Sequence, residues 1–360
     1  MPFRIAISGL NSASADLSVT GNNIANANTY GFKSSRAEFA EVFAAGGQTG
    51  GGVRLTRVAQ TFSQGNVDFT NNPLDLAIGG EGFFVVNDGG ARAYTRAGNF
   101  SVDRDGFVVD SQGSRLKSYP PAGKDAFNTG LLSDLQITTG SNAPRQTTSV
   151  DIGVNFPAAA PQPAQPVFDP SDPSSYNHTT STTVYDSLGT PHVTTFYFIK
   201  DAAANTWLTE TYMDGNQVGT AQTLEFNSSG EIVVPAGGRL TLAPYATGNG
   251  SEDINVELEY GTTTQFGEEF AVNSLNQDGF TTGRLAGLDI GPTGVISARF
   301  TNGQTTPLGK VALAKFANPN GLAERGDTSW GESFQSGNVI LGEAGSSSFG
   351  LIQSGALEAS

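Results

Sequence analysis

The chain has 360 residues, enough for two or three domains each with its own core. Glycine and proline supply 46 and 17 of them and charged residues only 15%, a balance that favours strands and turns over solvent-exposed helices. With no cysteine, two histidines and a net charge of −15, the composition excludes disulfide frameworks and thiolate chemistry, and it argues against partnership with nucleic acid or an anionic membrane.

No apolar run approaches the ~18 to 20 residues of a membrane span. The N-terminus also lacks the charged, apolar and small-residue layout of a cleavable secretory leader, so a soluble chain without membrane insertion or a general export signal is expected.

The first 30 residues predict a helix with a seam. Phe3, Leu10, Leu17 and Ile24 recur every seven residues, with Ala6, Ala13, Thr20 and Ala27 three positions after each. From Phe3 to Ala27 such a helix would be roughly 37 Å long, yet Gly9 and Gly21 each cost about 1 kcal/mol relative to alanine, which leaves it marginal alone. The periodicity fits a helix folded onto its own domain or an assembly helix ordered by neighbouring copies. It fits a membrane-surface helix poorly, because Arg4 is the only base before Lys33. Phe3, Ile7, Leu10, Leu17 and Ile24 are the candidate assembly positions.

The Asn-rich stretch from Asn22 to Asn28 predicts the helix end, since such side chains bond nearby backbone groups; Asn22, Asn23 and Asn26 are the candidates. Gly31 permits a turn that most residues resist, and Phe32 can anchor the next segment. These positions suit either helix capping or direct subunit contact. The run from Ala44 to Gly52 reads as a flexible connector and lacks the Lys-Ser/Thr ending of a phosphate loop.

From Leu74 the period changes to two: Leu74, Leu76 and Ile78 alternate with Asp75 and Ala77, and the GGEG of Gly79 to Gly82 turns the chain into Phe83 to Val86. Turns at Asn87 to Gly90 and Asp103 to Gly106 predict a compact antiparallel meander. Positions 149 to 276 carry 15 acidic residues against Lys200 and Arg239, a surplus of −13 that marks this stretch off from its flanks. It opens with a Pro/Ala/Gln loop, Ala158 to Pro166. Further on, Ile254, Val256, Leu258 and Tyr260 alternate with Asn255, Glu257 and Glu259, as on a sheet with one dry and one acidic wet face. Val295 to Phe300, a turn at Asn302-Gly303 and Val311 to Phe316 then resemble the first β-region, so the acidic stretch is expected to be an insertion.

Catalytic constellations are not evident. His178 in YNHTT and His192 in TPHVT read as solvated strand or loop histidines, with no Gly-x-Ser-x-Gly elbow in reach. Glu252-Asp253 and Glu268-Glu269 read as a solvated acidic face rather than a glycosidase pair, and only Trp207 and Trp330 could grip a sugar. Asp103-Arg104-Asp105-Gly106 lacks the remaining ligands of a calcium loop and reads as a hairpin turn. No catalytic, cofactor-binding or metal-binding residue is expected.

Ser8-Gly9-Leu10, Leu17, Asn22 to Asn26 and Thr29-Tyr30-Gly31-Phe32-Lys33 together resemble the N-terminal signature of the bacterial flagellar rod and hook proteins. Asp75 to Val86, Tyr94 to Phe100 with Asp105-Gly106, and the tail from Gly350 to Ser360 extend the resemblance along the chain. The large insertion and the phrase Thr306 to Phe316 are similar to the hook branch of that family. The resemblance implies a mainly β multidomain fold: an N-terminal assembly helix and connector over 1–70, an inner antiparallel β-domain from both flanks, 71–148 and 277–360, and an outer acidic β-domain inserted at 149–276. The family continues past a GALE-like motif into a second heptad helix. This chain stops at Ser360, so the expected inner layer has the first helix without that partner.

The function implied by the resemblance is that of a structural subunit that polymerises with itself into a curved, flexible tube transmitting torque. The implied partners are the distal rod protein, hook cap protein, hook-filament junction protein and flagellar export apparatus, with export through the flagellar type III pathway to an extracellular hook. A distal-rod subunit and a secreted β-rich carbohydrate-binding adhesin are the alternatives.

Overall fold

A computed structural model describes residues 2–43, 50–123, 126–137, 140–346 and 348–360. Most of the expected connector, 44–49, lies outside the described residues. The chain divides into two compact units, Met1–Gly140 with Leu285–Phe300 and Gln304–Ser360, and Ser141–Arg284 with Thr301–Gly303.

The first unit starts with helix α1 (Pro2–Ala25), then strands β1 (Ser35–Glu41) and β2 (Val53–Gln60), which form an antiparallel hairpin. Its main sheet is knitted from both ends of the chain. Strand Thr305–Lys315 pairs antiparallel with Phe83–Asp88 through Leu313 and Phe84, and with Arg115–Tyr119 through Val311 and Ser118. Residues of that sheet alternate between two buried faces, as the period of two requires. Phe84, Val86, Leu116, Val311 and Leu313 point into one core with Leu76, Ile78, Phe100 and Ile352. Phe83, Val85, Tyr119, Ala312 and Ala314 point into the other with Tyr94, Phe316 and Trp330.

One expectation is corrected by the pairing. The strand Leu76–Gly79 does not turn back onto Phe83–Asp88 in a meander; it pairs with Leu351–Ser354 through Ile78 and Ile352. Phe83 to Val86 are buried on both faces and paired on both edges, by Ala91–Thr95 on one side and by Arg115–Tyr119 and Thr305–Lys315 on the other, so no edge is left for a local partner. The neighbouring strand Val67–Phe69 is likewise closed by Ala356–Glu358.

The second unit has two sheets around one core. Strand Ser149–Pro157 lies parallel to Glu257–Glu259 and Thr264–Phe266 and antiparallel to Ala271–Gln277. The other sheet runs His178–Tyr185, Pro191–Lys200, Thr206–Met213, Gln222–Phe226 and Ile232–Val234. Val150, Ile152, Val154 and Phe156 face Phe196, Phe198, Trp207 and Leu224, with Phe156 stacked on Trp207 at 4.5 Å. Of the 15 acidic residues at positions 149 to 276, only Asp186 is buried.

The histidines are not solvated as the sequence suggests. His178 stacks on Phe270 at 4.1 Å, and burial lowers its pKa. His192 is buried, its Nδ1 2.6 Å from Asp214 Oδ2 and its Nε2 3.4 Å from Asp186 Oδ2. Alternation along Pro191–Lys200 turns it inward with Thr194, Phe196 and Phe198, a consequence invisible in its polar sequence context.

Asp186 organises the turn after its strand. Its carboxylate accepts the Leu188 and Thr190 N–H groups at 2.9 and 2.8 Å and the Asn249 amide at 2.6 Å. Burial pushes its pKa up, but the hydrogen bonds outweigh it and hold the group well below the usual carboxylate range. A carboxylate whose native pKa is depressed stabilises the fold above its unfolded value of about 3.9, and that contribution fades as pH falls through the native value. Asp186→Asn should therefore cost the second unit about 1.5–3 kcal/mol at pH 7. The deficit relative to the parent should shrink below pH ~3.9. Melts monitored by Trp207 fluorescence at both pH values check this, and a deficit independent of pH would refute it.

Candidate assembly surface

α1 places unlike surfaces on opposite sides. Ser8, Ser12, Ala15, Val19 and Asn23, spaced at four, three, four and four residues, are the half-buried side, which rests on the β1–β2 hairpin. Ser8 Oγ accepts the Val53 N–H at 3.2 Å. Asn23 makes a two-way bond with Ser35, donating Nδ2 to its carbonyl at 2.7 Å and accepting its N–H at 2.9 Å. The helix thus docks on its own fold through small and polar groups.

Its large apolar residues are elsewhere. Phe3, Leu10, Leu17 and Ile24 are 76%, 73%, 73% and 71% exposed, and Ile7 lies open beside them. Along a helix such residues line one face, and in the single subunit that face lies in solvent rather than on its own domain. Gly9 and Gly21 also face open space: a Cβ at either would meet nothing within 4 Å.

The asparagines and the glycine behave differently from the stripe. Asn26 Nδ2 donates to the Asn22 side chain at 2.7 Å and to its carbonyl at 3.1 Å, closing the last turn. Gly31 is buried at φ +71°, its N–H bonded to the Glu358 carbonyl at 2.9 Å, and Phe32 is half-buried beside it. The ten positions singled out from sequence therefore form two groups, an open apolar face and a tied helix root.

Sequence reasoning missed the strongest feature of that root. Lys33 Nζ donates to Glu358 Oε1 at 2.6 Å and to the Ser63 carbonyl at 2.7 Å, and Arg96 donates to Glu358 Oε2 at 3.1 Å and to the Gly80 carbonyl at 2.6 Å. All three side chains are buried. Burial pulls the Lys33 and Arg96 pKa values down, against the opposing pull of Glu358. The signal was a lone charge in each of three glycine-rich or apolar phrases: GFK, TRAG and GALE.

Among the described residues no group of three or more His, Cys, Asp or Glu side chains is placed to hold a metal ion. No helix among them is long and apolar enough to cross a membrane. Trp207 and Trp330 are buried, so neither offers a platform to a sugar.

Fold and surface together define a β-rich structural subunit that carries an N-terminal helix with its apolar face open. Three family models match in chain order: "Flagella basal body rod protein" at residues 3–33, "Flagellar hook protein FlgE/F/G D1 domain" at 77–155 and "Flagellar basal body protein FlaE D2 domain" at 155–280. The chain is 38% identical to the flagellar hook protein FlgE of Escherichia coli and 36% to that of Salmonella typhimurium, in each case over 100% of this chain and 90% of the relative. A crystal structure of Helicobacter pylori flagellar hook protein FlgE2 superposes with a TM-score of 0.62 at 17% identity, covering 81% of this chain and all of that one, and shows the same fold.

The chain belongs to the flagellar hook protein family. It is a structural subunit of the bacterial flagellar hook, and neither the distal-rod nor the adhesin alternative is favoured.

Proposed function

We propose that the subunit polymerises into the curved, flexible tube of a universal joint by burying the Phe3, Leu10, Leu17 and Ile24 face of α1 against neighbouring copies. The observation that carries this reading is the exposure of four large apolar residues on one side of a helix whose other side is already docked. Removing apolar surface from water contributes ~25 cal/mol per Å², and a helix of this length is marginal by itself, so ordering and assembly reinforce each other.

The open glycines support the reading. Among the described residues nothing requires Gly9 or Gly21 to lack a side chain, yet each forgoes about 1 kcal/mol of helix propensity. Close approach of a neighbour's backbone accounts for that sacrifice. Gly21→Ala should raise the helical signal of the dispersed subunit and lower the rate or extent of polymerisation; faster polymerisation would count against a close contact there.

In this reading 1–70 is the assembly layer, 71–148 with 277–360 the inner β-domain, and 149–276 an outer domain whose acidic surface favours contacts that slide rather than lock. The distal rod protein, hook cap protein, hook-filament junction protein and flagellar export apparatus are the partners, the type III pathway is the route, and no catalytic step is involved. Electron microscopy of the polymer tests it. Curved tubes are the expected result, whereas straight tubes would favour the distal-rod role and glycan binding without tubes the adhesin.

A further inference from the structure

Glu358 meets the root of α1 from the far end of the chain, 325 residues from Lys33. Its main chain takes the Gly31 N–H, and its carboxylate takes Lys33 Nζ, the Gly65 N–H at 2.8 Å and Arg96. Next to it, the Ala359 N–H bonds the Asn66 carbonyl at 2.8 Å, and Ser360 Oγ reaches the Ala27 carbonyl at 3.3 Å. One residue thus joins the helix root, the segment after β2 and, through Arg96, the carbonyls of Ile78 and Gly80.

Without the carboxylate, two cations would face each other in a buried site, hydrogen-bonded only to backbone carbonyls, with the exposed Glu81 and the Phe83 ring as the further company of Arg96. Such an arrangement is unfavourable, because a charge out of water needs a counter-charge to offset its desolvation. The C-terminal strand brings the one counter-charge that Lys33 and Arg96 share, together with the carbonyl that takes the Gly31 N–H.

We infer that Glu358 is a positioning residue for assembly: docking of the strand Ala356–Glu358 seats the root of α1 and fixes the direction in which the helix leaves the β-core. Before that strand is in place α1 keeps its docking on the β1–β2 hairpin, but helix and hairpin together lack the tie that sets their direction from the β-core. The assembly consequence rests on the reading of α1 as the subunit contact, whereas the tie itself belongs to the single chain.

Hydrogen exchange on the dispersed full chain tests the tie without any polymer. In Glu358→Gln, and separately in Lys33→Met, which leaves the Arg96 to Glu358 pair intact, the amides of Thr29 to Ser34 should exchange at least tenfold faster. The amides of Phe83–Asp88 should keep their parent rates. Unchanged exchange at Thr29 to Ser34 in both variants overturns the inference, as does an equal loss in Phe83–Asp88, which would mark general destabilisation. If Glu358→Gln does not fold, Lys33→Met alone decides. A positive exchange result with normal polymer in both variants would retain the tie and remove α1 orientation from the account of assembly.

Discussion

Replacing Leu10 and Leu17 together by asparagine should abolish polymer while costing the dispersed subunit no more than about 1 kcal/mol, the helix-propensity difference of the two exchanges. Both side chains are almost three-quarters exposed, so the monomer loses little packing when they go. In a subunit contact each leucine would bury enough apolar surface to contribute about 1.5–3 kcal/mol, and the loss recurs in every copy. An asparagine buried in its place would add the cost of an amide without a partner. Because polymerisation multiplies the per-copy deficit along the tube, the expected effect is loss of assembly rather than shorter tubes. Sedimentation and negative-stain microscopy report the polymer, and a thermal melt reports the monomer. Normal tubes from the double variant would show that the stripe is not the contact. A large fall in melting temperature would show instead that it packs on its own chain.

The seven-residue spacing of Phe3, Leu10, Leu17 and Ile24 made the apolar face of α1 legible, because helix periodicity depends only on local geometry, whereas its exposure is visible only in the fold. The alternation at Ile254 to Tyr260 was legible for the same reason: all four apolar members are buried. What escaped was which particular residues meet across long stretches of sequence. Leu76 to Gly79 carries a clean strand pattern, but the pattern says nothing of whether its edge is closed by Phe83 or by Ile352, 274 positions further on. His192 looked solvated because its neighbours are polar, yet sheet alternation and two aspartates from the turns around it draw it inward. Lys33, Arg96 and Glu358 each sat in a recognisable motif without their meeting being foreseen, since charge pairing inside a core leaves no periodic trace in the sequence.

Gly31→Ala should be the most damaging single methyl added to the helix root, costing about 3–5 kcal/mol in the first unit. The left-handed backbone at φ +71° accounts for about 1–2 kcal/mol of that for any residue with a Cβ. The rest is steric. A Cβ here would lie 2.2 Å from the Ala97 nitrogen and 2.6 Å from its Cα, main-chain atoms that cannot rotate away. Moving either strand of backbone would break the Gly31 bond to the Glu358 carbonyl and draw Arg96, next to Ala97, off its carboxylate. Gly113 supplies the control: its φ is +83°, but a Cβ there would meet nothing within 4 Å. Gly113→Ala should therefore cost only the conformational part, about 1–2 kcal/mol. The difference between the two variants, read from denaturant melts, isolates the contact with Ala97. Equal costs would mean that the backbone at Gly31 yields, and that the root of α1 is held less rigidly than its buried charges require.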